Sequence, residues 1–306
     1  MRAAAVPAAM ASGVPWAVYA KLVGVAAIWG GTFIAGRVAT AEMAGTSAAL
    51  WRYLFACATL LAASRALEGG LPRLAARQWL GVALLGATGV AAYNLFFMFG
   101  LKSVPAGRAA LIVALNPAVT LLGAALLFGE PLAKRKLAGI ALALAGAAVV
   151  IGRGNPFALL GGALGAGEAL ILGCVISWSA FTLVAKRLMA GLSPLAVTTY
   201  ASLTGTLMLA VATLVEGAPF LPQASARAWL ALVFLGVLGT AVAFVWYNDG
   251  VRRLGAARAP VFINLVPVAA VALAWGLLDE RVEAATLGGG ALVLAGIYVL
   301  NAPRRG

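Results

Sequence analysis

Ten apolar runs, each close to the length that crosses a bilayer, govern what this chain can fold into. A hydrocarbon core of about 30 Å takes about 20 helical residues. Runs of that size fall at 18–37, 46–64, 78–99, 105–128, 136–152, 167–186, 194–215, 228–248, 257–278 and 284–301. Lipid offers no partner to a backbone N–H or C=O, so each run reads as a helix that satisfies its own. The expected fold is all-α and integral to the membrane, with ten transmembrane helices. The longest gaps, 65–77 and 153–166, leave no room for a soluble domain. Composition agrees: 63% of the 306 residues are hydrophobic and 10% are charged, against about 45–50% and about 25% in soluble domains. A globule of this length could not hide that much apolar surface from water. The first expected partner is therefore the lipid bilayer.

In a soluble chain a net charge of +13 would suggest nucleic acid. Here it reads as topology, and no nucleic-acid partner is expected. With the N-terminus inside and the loops alternating, 15 Lys and Arg fall inside, 6 outside and 1, Arg52, within a span. The inside set includes Arg2, Lys134, Arg135, Lys136, Lys186, Arg252, Arg253, Arg304 and Arg305. Cytoplasmic loops collect Lys and Arg, so both termini are expected on the cytoplasmic side of the inner (plasma) membrane. Residues 1–11 read as a short cytoplasmic tail rather than a cleaved signal peptide, because Pro7 and Pro15 interrupt the apolar run.

Histidine is absent, which removes Ser-His-Asp chemistry and His-based zinc sites. Cys57 and Cys174 lie in apolar runs and read as buried thiols. No cofactor or metal is expected.

The chain is also written twice. Shifted by 150, Trp79 meets Trp229, Gly86 meets Gly236, Gly89 meets Gly239, Arg108 meets Arg258, Pro117 meets Pro267 and Glu130 meets Glu280. Over 79–150 about 23 of 72 positions are identical, a strong internal repeat. The earlier spans align with small offsets: Trp29 meets Trp178 at 149, and Tyr53 meets Tyr200 at 147. Each repeat, 16–152 and 166–302, holds five spans. Five is odd, so the second copy is expected to enter the membrane upside down. Inverted repeats are a recurring architecture of secondary transporters, with the substrate site near the midplane between the copies.

Two five-helix repeats, the run Trp29-Gly30-Gly31-Thr32-Phe33 in the first span and Gly129-Glu130-Pro131 after the fourth resemble the drug/metabolite transporter superfamily in its EamA-type branch. The likeness is greatest to bacterial exporters of aromatic amino acids and covers nearly the whole chain. It implies a central cavity lined mainly by spans 3, 4, 8 and 9, with contributions from spans 1 and 6, which brings Trp29 and Thr32 to it. Spans 5 and 10 would lie away. The second copy departs from the pattern, with Trp178-Ser179-Ala180-Phe181-Thr182 and Asp279-Glu280-Arg281 at the matching places.

The residues themselves mark the same region. Pro117 and Pro267 fall near the centres of spans 4 and 9. Each removes a helical hydrogen bond and frees the carbonyl four residues earlier, at Val113 and Ile263. Such symmetric breaks suit a cavity and a hinge, or a tolerated kink. Asn116 and Asn264 stand beside them, and a buried amide needs a partner, whether substrate or a neighbouring helix. Span 3 carries Tyr93, Asn94 and Phe97, and span 8 carries Trp246 and Tyr247. Tyr93 and Trp246, with Trp29 and Trp178, lie deeper than an interfacial belt requires. They could hold flat apolar solutes or ammonium groups. Trp16, Trp79, Trp229 and Tyr298, near span ends, fit the belt.

Charge at the span ends suggests gates. Arg108 and Glu280 fall on the outside and Arg258 and Glu130 on the inside. The expected contacts are Arg108–Glu280 and Arg258–Glu130, made in alternation, with headgroup binding and helix capping as the plainer reading. No Asp or Glu lies deep in any span, where proton-coupled carriers usually keep a relay. Facilitated diffusion or exchange is therefore expected. Small residues in spans 5 and 10, among them Gly139, Gly146, Gly288, Gly289 and Gly296, serve close packing inside the monomer or a homodimer contact. The function expected is alternating-access export of small amphipathic metabolites, amino acids including aromatic ones. Other metabolites or drugs, a channel and a membrane enzyme are the alternatives.

Overall fold

The computed structural model describes residues 16–162, 164–189, 191–255 and 258–301. Arg2, Arg304, Arg305, Ala302 and the N-terminal tail lie outside the described residues. The spans appear as α1 (Trp16–Glu42), α2 (Gly45–Glu68), α3 (Ala76–Leu101), α4 (Ala106–Phe128), α5 (Lys134–Ile151), α6 (Ala166–Leu188), α7 (Pro194–Glu216), α8 (Ala226–Leu254), α9 (Ala259–Leu278) and α10 (Ala284–Asn301). Nine of these helices are long and apolar enough to cross a membrane among the described residues. The exception is α5, whose 18 residues open on Lys134, Arg135 and Lys136.

Local chemistry sets the ends. Ser193 accepts from the amide of Ala196, 3.0 Å away, and Pro194 takes the first helical position of α7. Its missing N–H falls where no helical partner exists. Gly69, Gly129 and Gly217 close α2, α4 and α7 in the left-handed region at φ 76°, 66° and 69°, which glycine reaches at no steric cost. Asp279 closes α9 at φ 51°. It stands where the first repeat has Gly129.

The two sets of five helices pack chiefly against each other. α1 lies on α9 as α6 lies on α4, and α1 lies on α8 as α6 lies on α3. α2 rests on the middle of α8 as α7 rests on the middle of α3. α5 and α10 form one close pair. There Gly139 faces the Gly296 carbonyl, so a Cβ built on Gly139 would stand 2.8 Å from that oxygen, and Gly146 and Gly289 meet in the same way. The small residues are thus spent inside the chain. Gly288, with nothing within 4 Å of an added Cβ, faces outward. Leu126, Leu127, Leu230 and Trp275 are also outward and exposed, as a surface solvated by lipid requires.

Four spans are not continuous α-helices. α3 and α8 each carry a π-helical segment, Gly86–Ala92 and Phe234–Val242. α4 opens into a turn at 114–115. The first six residues of α9, Ala259–Asn264, are 3₁₀-helical. The interruptions occupy matching places in the two repeats. The two in α4 and α9 lie directly before Pro117 and Pro267.

Candidate functional site

These interruptions surround one cavity of about 720 Å³. Its wall is aromatic. Ring contacts run from Tyr247 to Trp29 (5.5 Å between centroids) and from Trp29 to Phe244 (5.6 Å). They continue from Phe244 to Trp178 (6.3 Å), Trp178 to Tyr93 (5.7 Å), Tyr93 to Phe97 (5.9 Å) and Phe97 to Phe33 (5.3 Å). Edge and offset contacts of this kind add to simple area burial.

The π-helical segments fix part of this wall. A π turn leaves backbone carbonyls out of the regular ladder, and the indole Nε1 of Trp29 donates to the Gly239 carbonyl at 3.0 Å. Thr32 Oγ1 donates back to the Trp29 carbonyl at 2.5 Å. The matching Gly89 lies against the Phe181 ring, which stacks on Trp178 at 5.1 Å. Paired glycines three apart, 86/89 and 236/239, are the sequence signal for these segments. The expectation of plain helices missed it.

The cavity brings together Trp29, Thr32, Tyr93, Asn116, Pro117, Trp178, Tyr247, Asn264, Pro267 and, at its rim, Glu130. Asn116 Oδ1 is buried and meets no donor among the described residues. Three expected site residues lie elsewhere. Asn94 is fully buried, its Nδ2 donating to the Val90 carbonyl at 2.7 Å. Phe97 is core, 1% exposed, and supports Tyr93 from behind. Trp246 leans on α1 at Gly24 because it projects from the far side of α8. Arg52, the cation that the sequence places within a span, and Phe244 also border it, and so do residues not singled out, among them Tyr53, Thr120, Ser202 and Thr240. α2, α7, the start of α5 and the end of α10 therefore join the spans that the resemblance implied, which corrects the expectation that spans 5 and 10 lie away.

The charged pairs at the ends are exchanged relative to expectation. Glu280 accepts from the amides of Ala106 and Gly107 at 3.0 and 3.4 Å and faces Arg37 Nε at 3.5 Å. A carboxylate fits the positive N-terminus of α4, and that contact leaves Arg108 free to reach Glu168 at 3.4 Å. Glu130 pairs with Lys186, whose hydrogen bond holds the Glu130 carboxyl below its usual range. Arg258 is exposed at the start of α9. The shift of 149 takes Arg37 to position 186 and the shift of 150 takes Glu130 to 280, so the two pairs are one contact written twice. Asp249, the acid nearest the centre by sequence, is held by Lys21, Arg252 and Arg253 at 3.2, 2.7 and 2.9 Å. Cys57 and Cys174 are free and buried.

Helices that cross a membrane in two interlocked sets around an aromatic cavity define a polytopic membrane transporter. The particular family follows from comparison: the chain belongs to the EamA-like transporter family, whose model matches residues 8–152 and 165–302, once for each repeat. It is 33% identical over 89% of both chains to the "Probable terminal-alkyne amino-acid exporter" of Streptantibioticus cattleyicolor. It is 26% identical over 93% of both chains to the "Uncharacterized transporter YyaM" of Bacillus subtilis. It is 30% identical to the "Uncharacterized inner membrane transporter YedA" of Escherichia coli, over 84% of this chain and 81% of that one. A solved crystal structure superposes with a TM-score of 0.65 over 93% of this chain and 97% of its own, at 23% identity, a likeness of fold alone.

Proposed function

We propose that this transporter exports small amphipathic metabolites, amino acids including aromatic ones, across the inner (plasma) membrane by alternating access. The observation that carries the reading is the aromatic wall of the central cavity. Such walls hold apolar rings while a few polar groups fix orientation. The printed name of the Streptantibioticus relative supports an amino-acid cargo.

The two repeats, 16–152 and 166–302, are read as inverted copies with both termini cytoplasmic. The cavity extends to Glu130, Lys136, Lys186 and Asn301, on the face that the Lys and Arg bias assigns to the cytoplasm. Glu280 ties down the opposite end through α4 and Arg37. This is an inward-facing arrangement, and exchanging the conformations of the two copies would open the other face. The lining has no acid apart from Glu130 at the rim among the described residues, which favours facilitated diffusion or exchange over tight proton coupling. A homodimer, if formed through small residues, would use Gly288 and Ala295 on the outer face of α10.

Counterflow in proteoliposomes with a panel of labelled amino acids tests the reading. Saturable, trans-stimulated flux of aromatic members is expected. Flux without saturation or counterflow would indicate a channel, and counterflow restricted to other solutes would reassign the cargo. Stoichiometric proton movement would overturn the coupling.

A further inference from the structure

Arg52 is a cation buried without an acid among the described residues. It is 7% exposed and lines the cavity, and its Nε and Nη1 meet no acceptor among the described residues. Its guanidinium carbon stands 5.6 Å from the Tyr53 ring and 5.8 Å from the Phe97 ring, close enough for cation–π attraction.

Rings offset only a fraction of what removing a full charge from water costs. Neutralisation by proton loss is closed to arginine. Two of the three guanidinium nitrogens, Nε and Nη1, are sealed from the surface, which leaves Nη2 alone to reach the cavity that the residue borders. The backbone cannot swing away: a Cβ built on Gly236 would lie 2.7 Å from Phe55 Cβ and 2.9 Å from the Ala56 amide, with the Arg52 carbonyl in the same contact. The shared helical design does not demand a cation here, because the second repeat has Thr199 at the matching place.

A planar guanidinium beside an aromatic wall is complementary to a carboxylate, which it can hold by two parallel hydrogen bonds once a turn of the side chain brings a second nitrogen to the cavity beside Nη2. A polyanion would need more than one cation at the same place, and the other cations of the lining, Lys136 and Lys186, stand with Glu130 at the rim. We propose that Arg52 receives the carboxylate of the transported solute, whose apolar part then lies against Tyr93 and Trp178. The assignment rests on the reading of the central cavity as the transport site.

The test compares 3-phenylpropionate, phenylalanine and phenethylamine as probes, with binding followed by quenching of tryptophan fluorescence in purified wild type, Arg52→Gln and Arg52→Lys. Wild type should bind the two acids and bind the amine at least about tenfold more weakly, the ratio expected for one charged contact. Arg52→Gln should lose the acids by at least about tenfold and erase the gap to the amine. Arg52→Lys keeps the charge without the planar fork and should fall between. Arg52→Gln should also melt no lower than wild type, since an unpaired buried charge is removed.

Unchanged acid binding in Arg52→Gln, an amine bound as well as the acids, or no acid bound by wild type would each overturn the assignment. The two readings fail separately. Acids that bind through Arg52 while no amino acid shows counterflow would leave the assignment standing and refute the cargo. Amino-acid counterflow unchanged in Arg52→Gln would do the reverse.

Discussion

Arg37 Nε stands 3.5 Å from Glu280 Oε1, and the same carboxylate caps α4 through Ala106 and Gly107. Arg37 also donates to the carbonyls of Leu101 and Val104 at 2.7 and 3.3 Å. One acid thus ties α1, α4, α9 and the turn after α3 together at one end. Glu280→Gln removes the charge from this knot, a change of about 1.5–3 kcal/mol for charge-assisted hydrogen bonds. That is enough to move a two-state equilibrium about tenfold. The expected outcome is faster labelling of a cysteine placed at Ala110, from the Glu280 side, in a chain with Cys57 and Cys174 replaced. Unchanged labelling would mean that the knot does not hold this end closed.

The crossing of α5 and α10 leaves no space for side chains. A Cβ on Gly139 would stand 2.8 Å from the Gly296 carbonyl and 2.9 Å from the Leu300 amide. Both are backbone atoms, so no rotamer change relieves the clash. Gly139→Val should cost about 1–3 kcal/mol, as overpacking does. Gly288→Val, in open space, should leave thermal unfolding in detergent nearly unchanged. Equal melting of the two variants would contradict the crossing.

Asp279 ends α9 at φ 51°, while Gly129 ends α4 at φ 66° in the matching place. The left-handed region costs a residue with a Cβ roughly 1 kcal/mol, somewhat less for Asp. Asp279→Gly should therefore raise the melting temperature slightly, and Gly129→Val should lower it clearly. The check is a thermal melt of both variants beside wild type.

The ten helices were legible because lipid demands long apolar runs. The aromatic wall was legible at Trp29, Tyr93 and Trp178, whose depth in their spans separates them from an interfacial belt, while the same depth argument chose Trp246, which the wall does not include. Side-chain direction was harder to read. Trp246 and Tyr247 are neighbours in sequence, yet consecutive residues on a helix point about 100° apart, and only Tyr247 reaches the cavity. The partners of Glu130 and Glu280 depended on contacts between the two repeats. Pairing by position on the same spans chose Arg108 and Arg258, while the fold brought up Arg37 and Lys186 from α1 and α6. The π-helical segments replace one hydrogen-bond register with another and leave hydropathy unchanged.

Trp29 takes up the Gly239 carbonyl that the π-helical segment of α8 exposes. Trp29→Phe keeps a ring against Phe244 and removes the donor. A carbonyl left unsatisfied in a buried place costs about 1–3 kcal/mol. Hydrogen exchange over 234–242 should therefore quicken, while exchange over the matching 86–92, which has no such indole contact, should not change. Equal effects on the two segments would show that the variant loosens the whole bundle.

Glu130 lies between α4 and α5, outside the membrane-spanning segments, and Lys186 lowers its pKa from the ordinary 4.5. A carboxyl with a lowered pKa in the folded state contributes stability that is present above its unfolded pKa. That contribution is lost as pH falls through the folded value. The pair is exposed, so its effect on global stability is small. Its effect should show on the opening it spans instead. Glu130→Gln should change the rate of solute exchange at neutral pH. The ratio of wild-type to Glu130→Gln rates should stay constant as pH falls toward 4.5, then approach one below it. A ratio that drifts through pH 6–7 would assign the titration to another group and remove Glu130 from the rim contact.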